Sequence, residues 1–486
     1  MVDNTQPMRV LFLSAEAAPL IKAGGLGDVA GSLPPALAKL QNGSGQTVDI
    51  RVAMPYYPVL KKKDLDVQPV CKVKVAKQGK FVHGVAYRTT LNGLVTYLID
   101  GEPFDNDVPI YSNRPDVDGD KFIFFSLACL DLIEKLDWKP EILHANDWHT
   151  AAAIYSNRVN APGRSPNNLK SVLTIHNLPF MGKEAETAMT EYGLPCAVDY
   201  NLPRWATLFP LPTGMVAADR IVAVSPSYAK EVLTPEFGCG LQDFLTQNQG
   251  KLTGILNGLD TTAWNPQTDP TIVNKFTSMT LEKRVANKTA LQAEVELQVD
   301  PSIPVLAIIS RLDQQKGIDI ALDGLRQLVQ HDWQLVLLGK GDNVLEAAAY
   351  SLEAQFPDRV RARIEFNGDL AHRMYSAADM ILMPSRYEPC GLAQMIAMRY
   401  GCIPVARATG GLIDTINDDP SGQHSTGFLF SQPNPDSFNI ALRRALYAFQ
   451  LQESWREMQI RGMEIDVGWA ISAQKYADLY TEILAT

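Results

Sequence analysis

The sequence predicts an α/β protein of two doubly wound domains, and three observations predict it. Short apolar runs such as residues 10–13 (Val-Leu-Phe-Leu) and 305–309 (Val-Leu-Ala-Ile-Ile) read as buried parallel strands. Each run hands over to polar or glycine-rich residues and then to a helical pattern, and this strand–loop–helix grammar recurs along the chain. The length of 486 residues exceeds what one core holds, since single cores stop growing at roughly 250–300 residues.

Taken in order, the strand at 10–13 is followed by Lys22-Ala-Gly-Gly-Leu-Gly-Asp28 and a helical pattern over 29–40. Residues 48–55 and 95–100 read as strands and 121–136 as a helix. The strand at 142–145 ends at Asn146-Asp147, that at 171–175 at His176-Asn177, and that at 221–224 at Ser225-Pro226. Composition turns polar past residue 258, so the interdomain connection is placed near 258–300, with an exposed helix at 281–299. The second series has strands at 305–309, 334–338, 380–383 and 403–405, with helices at 318–330 and 438–449. The amphipathic tail, 472–484, is expected to close the chain as a helix packed across both domains. In open α/β sheets the C-terminal ends of the strands are where ligands bind.

Composition excludes several classes. Apolar residues make up 46% and charged residues 20%, which disfavours disorder. A net charge of −10 argues against nucleic acid as the partner. The six cysteines, Cys71, Cys129, Cys196, Cys239, Cys390 and Cys402, form no CxxC and read as reduced thiols. The N-terminus has no secretory pattern, and no apolar run approaches the ~18 residues of a membrane span. The expected setting is cytoplasmic, or the plastid stroma for a processed chain.

The candidate chemistry sits at the predicted strand ends. Gly24, Gly25 and Gly27 stand between a strand and a helix, where free N–H groups and the helix dipole favour an anion. On glycines alone a tight turn is an equal reading, and Lys22 tilts the balance towards phosphate. Arg311 and Lys316, five apart after a strand, suit a diphosphate, the first as a planar fork and the second as a point charge. Gly339-Lys-Gly-Asp342 and Thr409-Gly-Gly-Leu412 repeat the glycine-turn theme. Between them, Glu388 could accept from sugar hydroxyls, while Gly391 and Leu392 could offer backbone N–H groups. Asp147, His149 and His176 read as a polar pocket floor without metal-ligand spacing. The triplets Asp105-Asn-Asp107, Asp116-Val-Asp118 and Asp118-Gly-Asp120 read as turn chemistry in a loop.

Lys22-x-Gly-Gly-Leu, Asp147-Trp-His, Ile175-His-Asn-Leu, Asn257-Gly-Leu-Asp, Ser310-Arg-Leu, Pro384-Ser-Arg-Tyr-Glu-Pro-Cys-Gly-Leu-x-Gln394 and Thr409-Gly-Gly-Leu resemble the glycogen and starch synthases in order and spacing. The resemblance runs from about residue 8 to the C-terminus, and the run from Gln394 to Gly401 is most similar to the branch holding plant starch synthases III and IV. It implies a GT-B fold: Rossmann-like domains over 1–260 (acceptor side) and 261–465 (nucleotide-sugar side) facing across a cleft, with 466–486 packing back on the first. It implies retaining transfer of glucose from ADP-glucose to the non-reducing end of an α-1,4-glucan or maltooligosaccharide, without metal or other cofactor, by a monomer or small homo-oligomer. By the same resemblance Lys22, Gly24 and Gly25 lie near the donor phosphates and glucose, and Asp147 and His176 contact the glucosyl unit. Arg311 and Lys316 hold the diphosphate, Glu388 binds sugar hydroxyls, Gly391, Leu392 and Thr409 line the phosphate side, and Phe366 stacks on the base. The chain departs from the pattern at Pro210-Leu-Pro-Thr213, and Ile396 stands where a related two-glutamate pattern has its second Glu. Two rival readings are a UDP-glucose enzyme of the sucrose or trehalose type, and a glucan-binding scaffold without turnover.

Overall fold

The computed structural model describes residues 6–40, 47–104, 109–112, 114–160 and 166–486. The chain forms two compact units, Met1–Gly258 with Trp469–Thr486, and Leu259–Gly468. The sequence-based divisions at 260/261 and 465/466 lie within three residues of these.

Unit 1 carries β1 (Met8–Leu13), β2 (Val48–Pro55), β3 (Gln68–Lys77), β4 (Lys80–Leu91), β5 (Leu94–Gly101), β6 (Ile142–Asn146), β7 (Lys170–Ile175), β8 (Arg220–Ala223) and β9 (Leu252–Gly254). They form one sheet in the order β3-β4-β5-β2-β1-β6-β7-β8-β9. Val10 to Leu13 of β1 are fully buried, as a central parallel strand covered on both faces must be. All pairings are parallel except β3–β4 and β4–β5. Those two hairpins turn on Gln78-Gly79 and Asn92-Gly93, with positive φ at all four residues, the geometry of tight hairpin turns. The motif reading passed over them, although Asn92-Gly93 between β-rich runs is a direct hairpin signal.

Unit 2 carries β10 (Val305–Ile309), β11 (Gln334–Leu338), β12 (Val360–Arg363), β13 (Met380–Met383), β14 (Ile403–Arg407) and β15 (Phe428–Phe430). All pair in parallel, in the order β12-β11-β10-β13-β14-β15. Leu306, Ile308, Leu335, Leu337, Leu382 and Val405 share one core with Trp333 and Phe438. In each unit the sheet grows outward both ways from its first strand. The chain reverses direction between β1 and β6 and between β10 and β13, which makes the topological switch points of a doubly wound sheet.

Two expectations are corrected. Residues 281–299 are no exposed linker helix. A 3₁₀ turn, Ser278–Lys283, leads into the helix Arg284–Glu294. Arg284, Asn287, Lys288, Leu291 and Gln292 are buried within unit 2, because one face of this polar helix is apolar stem and hydrogen-bonded amide. Asp116, Asp118 and Asp120 do not lie in a loop. They open the helix Pro115–Lys135, where Pro at the first position and acids in the first turn suit the free N–H groups. Asp105 and Asp107 fall outside the described residues. The tail helix, Ala470–Ala485, belongs to unit 1, where it packs on the helix Gly25–Ala38. It buries Tyr476, Tyr480 and Ile483. Tyr480 Oη lies 2.6 Å from His144 Nδ1, and His144 Nε2 lies 2.8 Å from Thr174 Oγ1.

Candidate functional site

In unit 1 the candidate residues follow β1, β6 and β7, on either side of the switch point. Lys22 stands just before the helix Gly25–Ala38, paired with Asp28 at 2.7 Å. The loop is held from inside by Glu16, which is 1% exposed. Glu16 Oε2 accepts from the N–H of Ala23 and, at 3.0 Å, from that of Gly24, while Tyr111 Oη donates to Oε1 at 3.0 Å. Burial raises the Glu16 carboxyl above its ordinary pKa, against the three hydrogen bonds. The N–H of Gly24, expected to meet a phosphate, is therefore already donated. A Cβ at Gly27 would sit 3.0 Å from Glu16 Oε2 and 3.2 Å from Lys22 Cα, so glycine there lets the carboxylate under the loop.

Asp147 caps the helix Trp148–Arg158 with φ 54° and ψ −174°. That region is sparsely populated for any residue with a side chain and costs about 1–3 kcal/mol. The conformation is held by Asp147 N–H to Thr174 O at 2.9 Å. Asp147 Oδ1 accepts from the His176 N–H at 2.7 Å and the Asn177 N–H at 3.4 Å. Burial pushes its carboxyl up to about 7. Asn146 Nδ2 donates to Leu13 O, so Asn146 Oδ1 is the acceptor for His176 Nε2 at 2.9 Å. Burial holds His176 down at about 3. The network thus assigns a neutral ring with its proton on Nε2 and a lone pair on Nδ1. His149 differs from the polar floor expected of it. Its ring lies in an aromatic cage of Tyr111, Phe122 and Trp148, with centroids at 5.0, 4.6 and 4.4 Å, and burial again holds it at about 3.

In unit 2 the corresponding residues follow β10, β13 and β14. Lys316 Nζ meets both Glu388 oxygens, at 2.8 and 2.7 Å, and Ser385 Oγ donates to Glu388 Oε2 at 2.9 Å. Glu388 is 4% exposed. Lys316 ends the 3₁₀ turn Gln314–Lys316, which is capped by Asp313, and Asp313 also pairs with Arg311 at 3.1 Å. The Arg311 side chain is 58% exposed. Gly317 has φ +62°, and any Cβ there would strike Pro384 O, so the Lys316 turn can lie directly against the loop after β13. Gly391, at φ +71°, and Leu392 precede the helix Ala393–Arg399. Thr409 is buried as the cap residue of the short helix Gly410–Thr415, and Gly411 N–H donates to Glu388 O at 3.0 Å. Phe366, three residues beyond β12, is 92% exposed.

The structure therefore groups Lys22, Gly24, Gly25, Asp147 and His176 at one sheet edge of unit 1. It groups Arg311, Lys316, Glu388, Gly391, Leu392 and Thr409 at the matching edge of unit 2. Sequence reasoning missed Glu16, Tyr111, Asn146, Ser385 and Asp319. Their residue types signalled no role: Glu16 had position alone, three residues beyond the apolar run at 10–13, while Asn146 and Ser385 stood inside motifs singled out for their neighbours. The segment Pro210–Ala217 is a buried helix packed on Trp148–Arg158. Among the described residues no three His, Cys, Asp or Glu side chains gather as they would around a metal ion. None of the described helices is long and apolar enough to cross a membrane.

Residues 9–247 match the family model described as starch synthase catalytic domain, and residues 293–460 match that of glycosyl transferases group 1. Over its length the chain is 38% identical to the glycogen synthases of Streptococcus sanguinis and Streptococcus gordonii, covering 98% of this chain and 100% of each relative. It superposes on the catalytic domain of starch synthase IV from Arabidopsis thaliana, solved with ADP and acarbose. The TM-score is 0.87 at 31% identity, covering 99% of this chain and 100% of that one. A sucrose-phosphate synthase from Thermosynechococcus elongatus shares the fold, at TM-score 0.62 and 18% identity.

Proposed function

The chain belongs to the glycogen and starch synthase family of GT-B glycosyltransferases, and on that premise we propose that it moves glucose from ADP-glucose to the non-reducing end of an α-1,4-glucan, with retention and without a metal ion. The observation that carries the donor side is the Lys316–Glu388 pair at the switch point of unit 2. Lys316 and Arg311 offset the charge that grows on the diphosphate as the glucosyl bond breaks. Glu388, fixed by Ser385, has a carboxylate to accept from sugar hydroxyls. The amides after Gly391 and at the start of Gly25–Ala38 serve the phosphates, with Gly25 rather than Gly24 available on the second. Phe366 is open for stacking on the base.

Unit 1 acts on the glucosyl group. Asp147 and His176 hold its hydroxyls, with His176 Nδ1 as a neutral acceptor. The 4-hydroxyl of the glucan attacks the anomeric carbon on the face from which ADP leaves. The carbon–oxygen bond to the β-phosphate breaks, and the attacking hydroxyl's proton passes to the departing phosphate oxygen. The products are ADP and a glucan one residue longer. The reading places the protein in the cytoplasm or a plastid stroma. The test is transfer to maltooligosaccharides from ADP-glucose and UDP-glucose in parallel, with EDTA present. Transfer from ADP-glucose under EDTA is expected. Transfer from UDP-glucose alone would overturn the donor, and glucan binding without transfer would overturn the enzyme reading for a scaffold.

A further inference from the structure

Arg386 stands on the loop after β13, between Ser385 and Glu388, and nothing above gives it a role. Its guanidinium forms a fork with Asp319, Nη1 to Oδ1 at 2.8 Å and Nη2 to Oδ2 at 2.7 Å. Asp319 lies in the first turn of the helix Ile318–Arg326, directly after the Lys316 turn. Arg386 Nη1 also donates to Gln314 O at 3.0 Å, and Arg386 N–H donates to Gln315 O at 2.7 Å. On the other side Arg386 O accepts from Arg407 Nη1, and Arg407 Nε donates to Ser431 O at 3.0 Å. Gln315 Nε2 adds a bond to Tyr387 O at 3.3 Å. Arg386 thus ties the turn that carries Lys316 to the loop that carries Glu388, and Arg407 ties both to the end of β14. The Asp319 hydrogen bonds raise the Arg386 pKa, and Asp319 is held below the usual carboxylate range by the same pair. A bidentate arginine–carboxylate fork fixes orientation as well as charge.

We propose that Arg386, acting with Asp319, is a positioning residue for glucosyl transfer: the fork sets Lys316 against Glu388 and does not itself bind the diphosphate. The proposal rests on the reading of Lys316 and Glu388 as donor-side groups. A direct ligand and a positioning residue make opposite predictions for Asp319. Were Arg386 a phosphate ligand, removing the Asp319 charge would free it and tighten ADP binding. As a positioning residue, loss of Asp319 loosens the turn and slows transfer.

The experiment compares wild type, Arg386→Lys, Asp319→Asn and the double variant in kcat, KM for ADP-glucose, ADP affinity by calorimetry, and melting temperature. Each single variant is expected to lose about ten- to a hundredfold in kcat, the scale of a small misplacement of catalytic groups. ADP affinity and KM are expected to change less than kcat. The double variant is expected to be no worse than the poorer single, as for two residues acting as one unit. Asp319→Asn is nearly isosteric and keeps an acceptor, so it serves where Arg386→Lys folds poorly. Tighter ADP binding in Asp319→Asn, unchanged kcat in both singles, or multiplying losses in the double variant would each overturn the proposal. An inert wild type would overturn the donor-side reading beneath it, which the other arms leave standing.

Discussion

Lys316 and Glu388 form a pair whose acid is almost sealed from water, and this shapes what their variants do. Glu388→Gln keeps one oxygen for Ser385, so it is expected to cut turnover by about 10²-fold or more with little loss of melting temperature. Lys316→Ala should cost a similar factor and also lower the melting temperature, because it strands a buried carboxylate. Steady-state kinetics beside thermal melts would check both, and near-normal turnover in either variant would remove them from the site. Asp147 gives a pH signature. Its folded pKa of about 7 lies above the ordinary 3.8, so the folded state holds a proton that the unfolded chain releases in that window. Asp147 therefore subtracts stability as pH rises from about 4 to 7, by about 1.4 kcal/mol per unit. His144, His149 and His176, each held near 3, act the other way and lose stability as pH falls below about 6.5. In urea unfolding across pH 4–7, Asp147→Asn should steepen the gain of stability with pH by about one proton's worth. Parallel slopes in the two proteins would show that Asp147 is ionised throughout.

At the scale of elements, the glycine loop before Gly25–Ala38 depends on what lies beneath it. Gly27→Ala would push Glu16 off the Ala23 and Gly24 amides and displace Lys22. The expected result is a raised KM for the nucleotide-sugar, by about tenfold on the scale of one charged contact, with KM for the glucan unchanged. Equal changes in both would point to a general loosening of unit 1. The loop was legible in the sequence because glycine, lysine and strand-end placement carry their chemistry in residue type. The parallel strands were legible for a similar reason, since burial on both faces writes them as unbroken apolar runs. Glu16 and Asp319 were not, because a carboxylate's role depends on which amide or guanidinium the fold brings beneath it. The β3–β4–β5 hairpins alternate too weakly to stand out without their turns. The helix Arg284–Glu294 misled because its buried face is made of Arg, Asn, Lys and Gln, whose burial needs partners that the fold brings up from outside the helix, such as Tyr400 O for Arg284 and Pro301 O for Lys288.

For the whole molecule, the two units differ in how the chain completes them. Unit 2 is one continuous stretch, Leu259–Gly468, with its own core. Unit 1 needs Trp469–Thr486, whose helix supplies Tyr476, Tyr480 and Ile483 to its interior. Residues 259–468 expressed alone are expected to unfold cooperatively, while residues 1–258 alone are expected to aggregate. Adding back 469–486 through a linker should rescue the second piece. Tyr480→Phe in the full chain should cost about 1–3 kcal/mol by leaving His144 Nδ1 unpaired in the interior, read by denaturant unfolding.

The chain leaves unit 1 at Gly258 and returns at Trp469, and Leu259 pairs with Gly468 where the two passages run side by side. This reverses the usual order of events on the ribosome, where the N-terminal domain is finished first. Here the first half to be synthesised must wait for Trp469–Thr486, which are made after the whole of unit 2. A nascent chain halted before Trp469 emerges would carry a finished second unit behind an unfinished first one, with the helix Gly25–Ala38 still lacking its cover. Until Trp469–Thr486 follow, unit 2 has its whole core while the interior of unit 1 stays open to chaperones.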